Sequence, residues 1–215
     1  MKKILLLCIF LFITHLSSAP NISSELKEEM RVRGVNEYNR LMYEKEFTLF
    51  VNHLGFKESN NDWTIVNTIN CLGEWQFAHT TLSFLGYGHI TPAKFRKDPS
   101  IFPRELQLKV LKELMEVNEL SLRNYESYIG RTINGILITK AGLLAGMHLG
   151  GSGGVQIFLM TEGRVDKDDA YGTRISDYIK EFSIYDLNRE MIPINKIILY
   201  EPFNFSDEGT ISVSR

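Results

Sequence analysis

Between residues 37 and 57 apolar side chains recur at helical spacing, with Phe47, Val51 and Leu54 on one face, and that face ends on an ionisable residue, Glu58. At about 100° per residue, Glu58 projects within roughly 20° of Phe47. The polar run Ser59, Asn60, Asn61 and Asp62 then breaks the pattern, so the helix is expected to deliver its last carboxylate to the mouth of a cleft. Upstream, residues 23–40 are charged and mixed. Ser24 is followed three residues later by Lys27 and lacks the full capping box, so this stretch reads as either a modest helix or a loosely held arm.

Downstream, a loop rich in Asn and Asp over 59–70 leads to Gly73, Glu74, Trp75, Gln76 and Phe77, which open an ordered element continuing through Leu82 and Leu85 until Gly86 and Gly88 break it. Thr91 and Pro92 read as an N-cap followed by proline at the first helical position. Phe102 and Pro103 introduce what is predicted as the longest helix, over about 104–128, with an apolar stripe of Leu106, Val110, Leu111, Leu114, Val117 and Leu122. Gly130 ends it, and residues 131–138 read as a small turn or hairpin around Asn134 and Gly135. Thr139 begins an apolar helix through Leu149. This closes in the glycine-rich run 150–154, from which residues 155–160 open another short helix, and a final helix is predicted over 176–182. The class is therefore mainly α, with little β structure. The segment Ile197 to Tyr200 reads as an edge strand or a flexible extension.

The N-terminus changes the cellular picture. Met1, Lys2 and Lys3 precede the apolar run 4–13 and the small residues Ser17, Ser18 and Ala19, the layout of a secretory signal peptide, so the protein is expected to be exported, periplasmic or secreted. The run is too short to favour a stable span, and no integral membrane segment is expected in the mature chain. Leu5, Leu6 and Leu7 before Cys8 argue against a lipoprotein anchor. The expected organisation is a signal peptide over 1–19, an N-terminal arm over 20–40, one main domain over 41–185 and a C-terminal extension over 186–215. Losing Cys8 leaves Cys71 alone, an inert thiol in an apolar context, so stability must come from packing without an internal disulfide. The formal charge of −2 becomes more negative without Lys2 and Lys3, which removes the electrostatic footprint of a nucleic-acid binder. A monomer is expected.

Candidate chemistry begins with Glu58. A carboxyl group set against apolar neighbours has its charged form disfavoured, which suits a general acid. His53, His79 and His89 have no metal-ligand spacing, and neither metal nor cofactor is expected. Gly150 to Gly154 lack the lysine and hydroxyl residue of a phosphate cradle. Asp166, Lys167, Asp168 and Asp169 lack the terminal Glu of a calcium loop and read as a solvated turn.

Three separated blocks carry a resemblance: Glu58 with Ser59 at a helix end, Gly73 to Phe77 beyond a polar loop, and the run from Ala145 to Val155 containing His148, Leu149, Gly150 and Gly151. In order and spacing this resembles the lysozyme-like soluble lytic transglycosylases, over roughly residues 45–182. Asp166, Gly172 with Thr173, and Asp177 with Tyr178 extend the likeness to one branch of that family. The resemblance implies a helical fold of the goose-type lysozyme and lytic transglycosylase kind, peptidoglycan glycan strands as partner, and Glu58 as catalytic acid. It implies that Ser59 and Gln76 line the substrate and that Trp75, in place of the usual Tyr or Met, offers an aromatic surface to a sugar. The third block departs from the broad pattern, with His148 where the family has Tyr and Leu149 where it has Asn. His148 is expected to hydrogen-bond into the cleft, while Gly150 and Gly151 form a tight turn that lets glycan approach the backbone.

One carboxyl group suffices for transglycosylation, whereas a hydrolytic muramidase of the same fold normally needs a second. The available candidates read otherwise: Asp62 as a turn residue and Glu74 as a solvated surface residue. A noncatalytic glycan-binding protein is the alternative of another class.

Overall fold

The computed structural model describes residues 23–188, and these are mainly helical. The predicted signal peptide over 1–19, Cys8 included, and the segment Ile197 to Tyr200 lie outside the described residues. Residues Lys45–Leu187 form one compact unit.

The first helix, α1, runs Ser24–Ser59 without interruption, so the stretch read as a modest helix or loose arm is part of the same helix that ends at Glu58. Ser23 caps it through its Oγ, which accepts the Leu26 amide at 3.2 Å. Its first half is laced by the i,i+3 and i,i+4 pairs Glu28 with Arg31, Glu29 with Arg33, and Arg40 with Glu37 and Glu44. Such exposed pairs add only about 0.3–0.5 kcal/mol each, but all act in the helical sense. From Phe47 onward the helix buries Phe50, Val51 and Leu54.

Two short helices follow, α2 (His79–Phe84) and α3 (Pro92–Lys97), the latter capped by Thr91 with proline at its first turn, as expected. Helix α4 spans Arg104–Leu122 and continues as a 3-10 turn over Arg123–Tyr128. It is shorter than α1 and than the later helix Lys140–Met160, so it is not the longest helix. Its buried face is Gln107, Val110, Leu111, Met115, Asn118 and Leu122; Leu106, Leu114 and Val117 flank that face half-buried. Strands β1 (Thr132–Ile133) and β2 (Ile136–Leu137) pair antiparallel, Thr132 opposite Leu137. Asn134 and Gly135 between them have φ of 50° and 78°, the two positive values that a two-residue hairpin turn needs.

Helix α5 (Lys140–Met160) is capped by the Thr139 side chain and is buried on most sides. It is also long and apolar enough to cross a bilayer by composition, and here it packs against α4 and the last helix, α6 (Ile175–Phe182). The backbone breaks at Gly151, with φ 69° and ψ 167°, and the helix restarts at once. Glycines at every fourth position let α6 lie against α5: a Cβ on Gly142 would stand 2.5 Å from the Ile179 carbonyl oxygen, and one on Gly150 would stand 2.5 Å from Ile175 Cδ1. Phe158, Ile175, Ile179 and Phe182 complete the core on this side.

Candidate active site

Helix α1 ends where Asn60 and Asn61 turn left-handed, with φ of 56° and 61°, and the Asn61 amide reaches back to the Gly55 carbonyl at 3.1 Å. That termination fixes the direction of Glu58. Its side chain is 14% exposed and follows the buried positions Val51 and Leu54, as the spacing predicted. Glu58 Oε1 accepts the Tyr178 hydroxyl at 2.7 Å, and His148 Nε2 stands 3.9 Å from the same oxygen. Tyr178 is buried. Burial first, then the charge of Glu58, pushes its phenol well above its ordinary value.

The second block folds into a closed loop in which Leu72 and Phe77 exchange both backbone hydrogen bonds at 2.9 Å. Gln107, fully buried on α4, ties this loop to the segments around Trp63 and Phe102. Its Oε1 accepts the Glu74 amide at 2.7 Å, and its Nε2 donates to Phe102 and Trp63 carbonyls at 2.7 and 2.8 Å. Gly73 has φ of 75° and lies so close to Gln107 that no side chain fits there. Ser59 fastens the helix end to the same loop: its Oγ donates to the Glu74 carbonyl at 2.8 Å and to Gly55 at 3.2 Å. His148, at the end of the first half of α5, donates from Nε2 to the Trp75 carbonyl at 2.8 Å, which fixes its tautomer and holds its ring edge-on to Phe77. Its Nδ1 and the Oε1 of Gln76 are buried without a hydrogen-bond partner among the described residues, while Gln76 Nε2 donates to Gly73.

Three expectations need correction. Trp75 is fully buried, its indole donating to the Val51 carbonyl at 2.8 Å with Arg104 over its ring, so it cannot offer a face to a sugar. Glu74 is not a solvated residue; it is fully buried and forms a two-point pair with Arg104 at 2.6 and 2.9 Å. Gly150 serves helix packing against Ile175 rather than approach of a ligand, whereas Gly151 has open space around its Cβ position and marks the kink. The turn reading of Asp62 holds, its Oδ1 accepting from the Thr64 amide and hydroxyl. So does the turn reading of the acidic run: Asp169 accepts the Tyr171 and Thr173 amides, and Asp166 holds Ser176.

No family model, curated protein or solved structure matches this chain. The site is therefore defined by its geometry: Glu58, Tyr178 and His148 converge, and Ser59 and the backbone of the Gln76 loop support them.

Residue reading missed three contributors. Tyr178 was noted only as part of a trailing likeness, although it is the residue that touches Glu58. Gln107 and Arg104 were absorbed into an apolar helix. The available signal was Gln107 itself, a polar residue four positions before Leu111 on the buried face. Cys71 is a half-buried free thiol near Glu58, and burial pushes it above its ordinary value.

Proposed function

We propose that the protein is an exported peptidoglycan-cleaving enzyme of lysozyme-like fold that breaks the glycosidic bond between N-acetylmuramic acid and N-acetylglucosamine by lytic transglycosylation. The observation that carries this reading is one enclosed carboxyl group at the helix end with an oxygen left free of hydrogen bonds among the described residues. Glu58 is three-quarters or more enclosed, one oxygen is occupied by Tyr178, and Oε2 is left to meet a substrate. Of the two carboxylates that a hydrolytic mechanism would recruit, Glu74 is buried and committed through both oxygens to Arg104, and Asp62 is an exposed turn residue whose Oδ1 is taken by Thr64.

The chemistry needs one acid that becomes a base. Glu58 gives its proton to the glycosidic oxygen as the C–O bond breaks, and an oxocarbenium-like centre develops on the sugar. The substrate's own hydroxyl attacks that centre and returns a proton to Glu58, closing an anhydro ring without consuming water. Tyr178 holds the carboxylate through this exchange, His148 stands beside it with its own proton committed to the Trp75 carbonyl, and Ser59 keeps the helix end attached to the Glu74 carbonyl.

Mass spectrometry of soluble fragments from purified peptidoglycan tests this. Anhydro-muramyl products that vanish with Glu58→Gln are expected. Reducing-end products would move the assignment to a hydrolytic muramidase, and no products over a broad pH range would leave a glycan-binding protein.

A further inference from the structure

Lys57 and Glu58 are consecutive at the end of α1 but face different places. Glu58 meets Tyr178 and His148, whereas Lys57 lies over the Tyr178 ring and lines an open pocket of about 690 Å3. Its wall includes Tyr171, from the loop before α6, and its floor is one face of α6 carrying Asp177, Lys180 and Glu181. The wall is preset: Asp169 accepts the Tyr171 and Thr173 amides at 2.9 and 2.8 Å, and Tyr171 and Thr68 share a hydroxyl hydrogen bond at 2.6 Å.

The four charges around this pocket are not equivalent. Lys57 Nζ is held by Glu181 at 2.6 Å and lies 5.1 Å from the centre of the Tyr178 ring. The other oxygen of Glu181 meets His53 Nε2 at 2.9 Å. Asp177 Oδ2 accepts the Arg174 amide at 3.1 Å, where the N-terminal dipole of α6 also favours its charge. Lys180 alone has neither an ion pair nor a side-chain hydrogen bond among the described residues, and it is exposed to the pocket. An ammonium left in that state, in a pocket whose wall is preset, is the group there that can receive a carboxylate.

We propose that this pocket holds a carboxylate of the peptide branch carried by the glycan strand, with Lys180 as its anchor. This rests on the peptidoglycan reading. Lys57 lies over the ring of Tyr178, whose hydroxyl meets Glu58, so a branch seated beside Lys57 stands one side chain away from the acid. The pocket would thus choose which bond along a regular polymer is presented to the acid.

The test compares kcat/KM on glycan strands bearing peptide stems with the same strands stripped by an amidase, for the full protein and for Lys180→Gln and Lys180→Arg. The parent is expected to favour stemmed strands by about tenfold, the size of one charge-assisted contact. Lys180→Gln brings the ratio near one, and Lys180→Arg restores most of it. Equal ratios in the parent and Lys180→Gln overturn the pocket while leaving the catalytic reading intact. Failure of the parent to cut either strand overturns the catalytic reading, and the pocket's role with it.

Discussion

The Tyr178 hydroxyl lies 2.7 Å from Glu58 Oε1, a contact between residues 120 positions apart that joins the last described helix to the end of the first. Tyr178→Phe removes only the hydroxyl. Losing one hydrogen bond to an ionisable group is expected to lower kcat about tenfold with little change in KM, as measured by steady-state release of soluble fragments.

The same residue sets an alkaline limit. Its phenol is raised above the ordinary 10 by burial and by Glu58, so above that pH the unfolded chain releases a proton that the folded chain keeps. The contribution is complete below the unfolded value and is lost as pH rises towards the folded one, at about 1.4 kcal/mol per pH unit. Calorimetric melting between pH 9 and 11 should show this slope in the parent and a flatter one in Tyr178→Phe.

Arg104→Met should destabilise the fold by about 3 kcal/mol, because Glu74 would be left fully buried without its partner. Glu74→Gln keeps the shape, leaves only the exposed partner unpaired, and should cost less. Denaturant midpoints of the two variants, read together, give the order.

Gly142→Ala places a Cβ against the Ile179 carbonyl oxygen, which cannot swing away, and an overpacking cost of about 2 kcal/mol is expected. Gly150→Ala meets only the Ile175 side-chain tip and should cost less. Melting temperatures separate them.

Cys71 should react with a thiol reagent at neutral pH at least about tenfold more slowly than in urea, because burial keeps the folded thiol protonated and half-shielded. Alkylation rates read by mass spectrometry check it.

What residue patterns revealed was what neighbours in the chain decide. The face carrying Phe47, Val51, Leu54 and Glu58, the cap at Thr91 with Pro92, and the turn at Asn134 with Gly135 are local agreements between spacing and backbone preference, and all are present. Glu74 and Trp75 were misread because their surroundings come from elsewhere. Arg104 and Gln107, some thirty residues later, draw Glu74 and its loop inward, and a carbonyl of α1 receives the indole. The length of α1 was underread because weak charge pairs along its first half each favour helix without leaving an apolar periodicity. For the candidate site, the enclosed carboxyl group of Glu58 was legible and its partner was not: Tyr178 is an ordinary apolar-face residue until the fold brings it to Glu58.

Trp75 gives the molecule a built-in optical gauge. The chain has two tryptophans, and this one is wholly enclosed while its carbonyl is the anchor for His148. Its fluorescence should be blue in the folded state and should redden when the loop beneath Glu58 opens, so loosening of the site can be followed without any label.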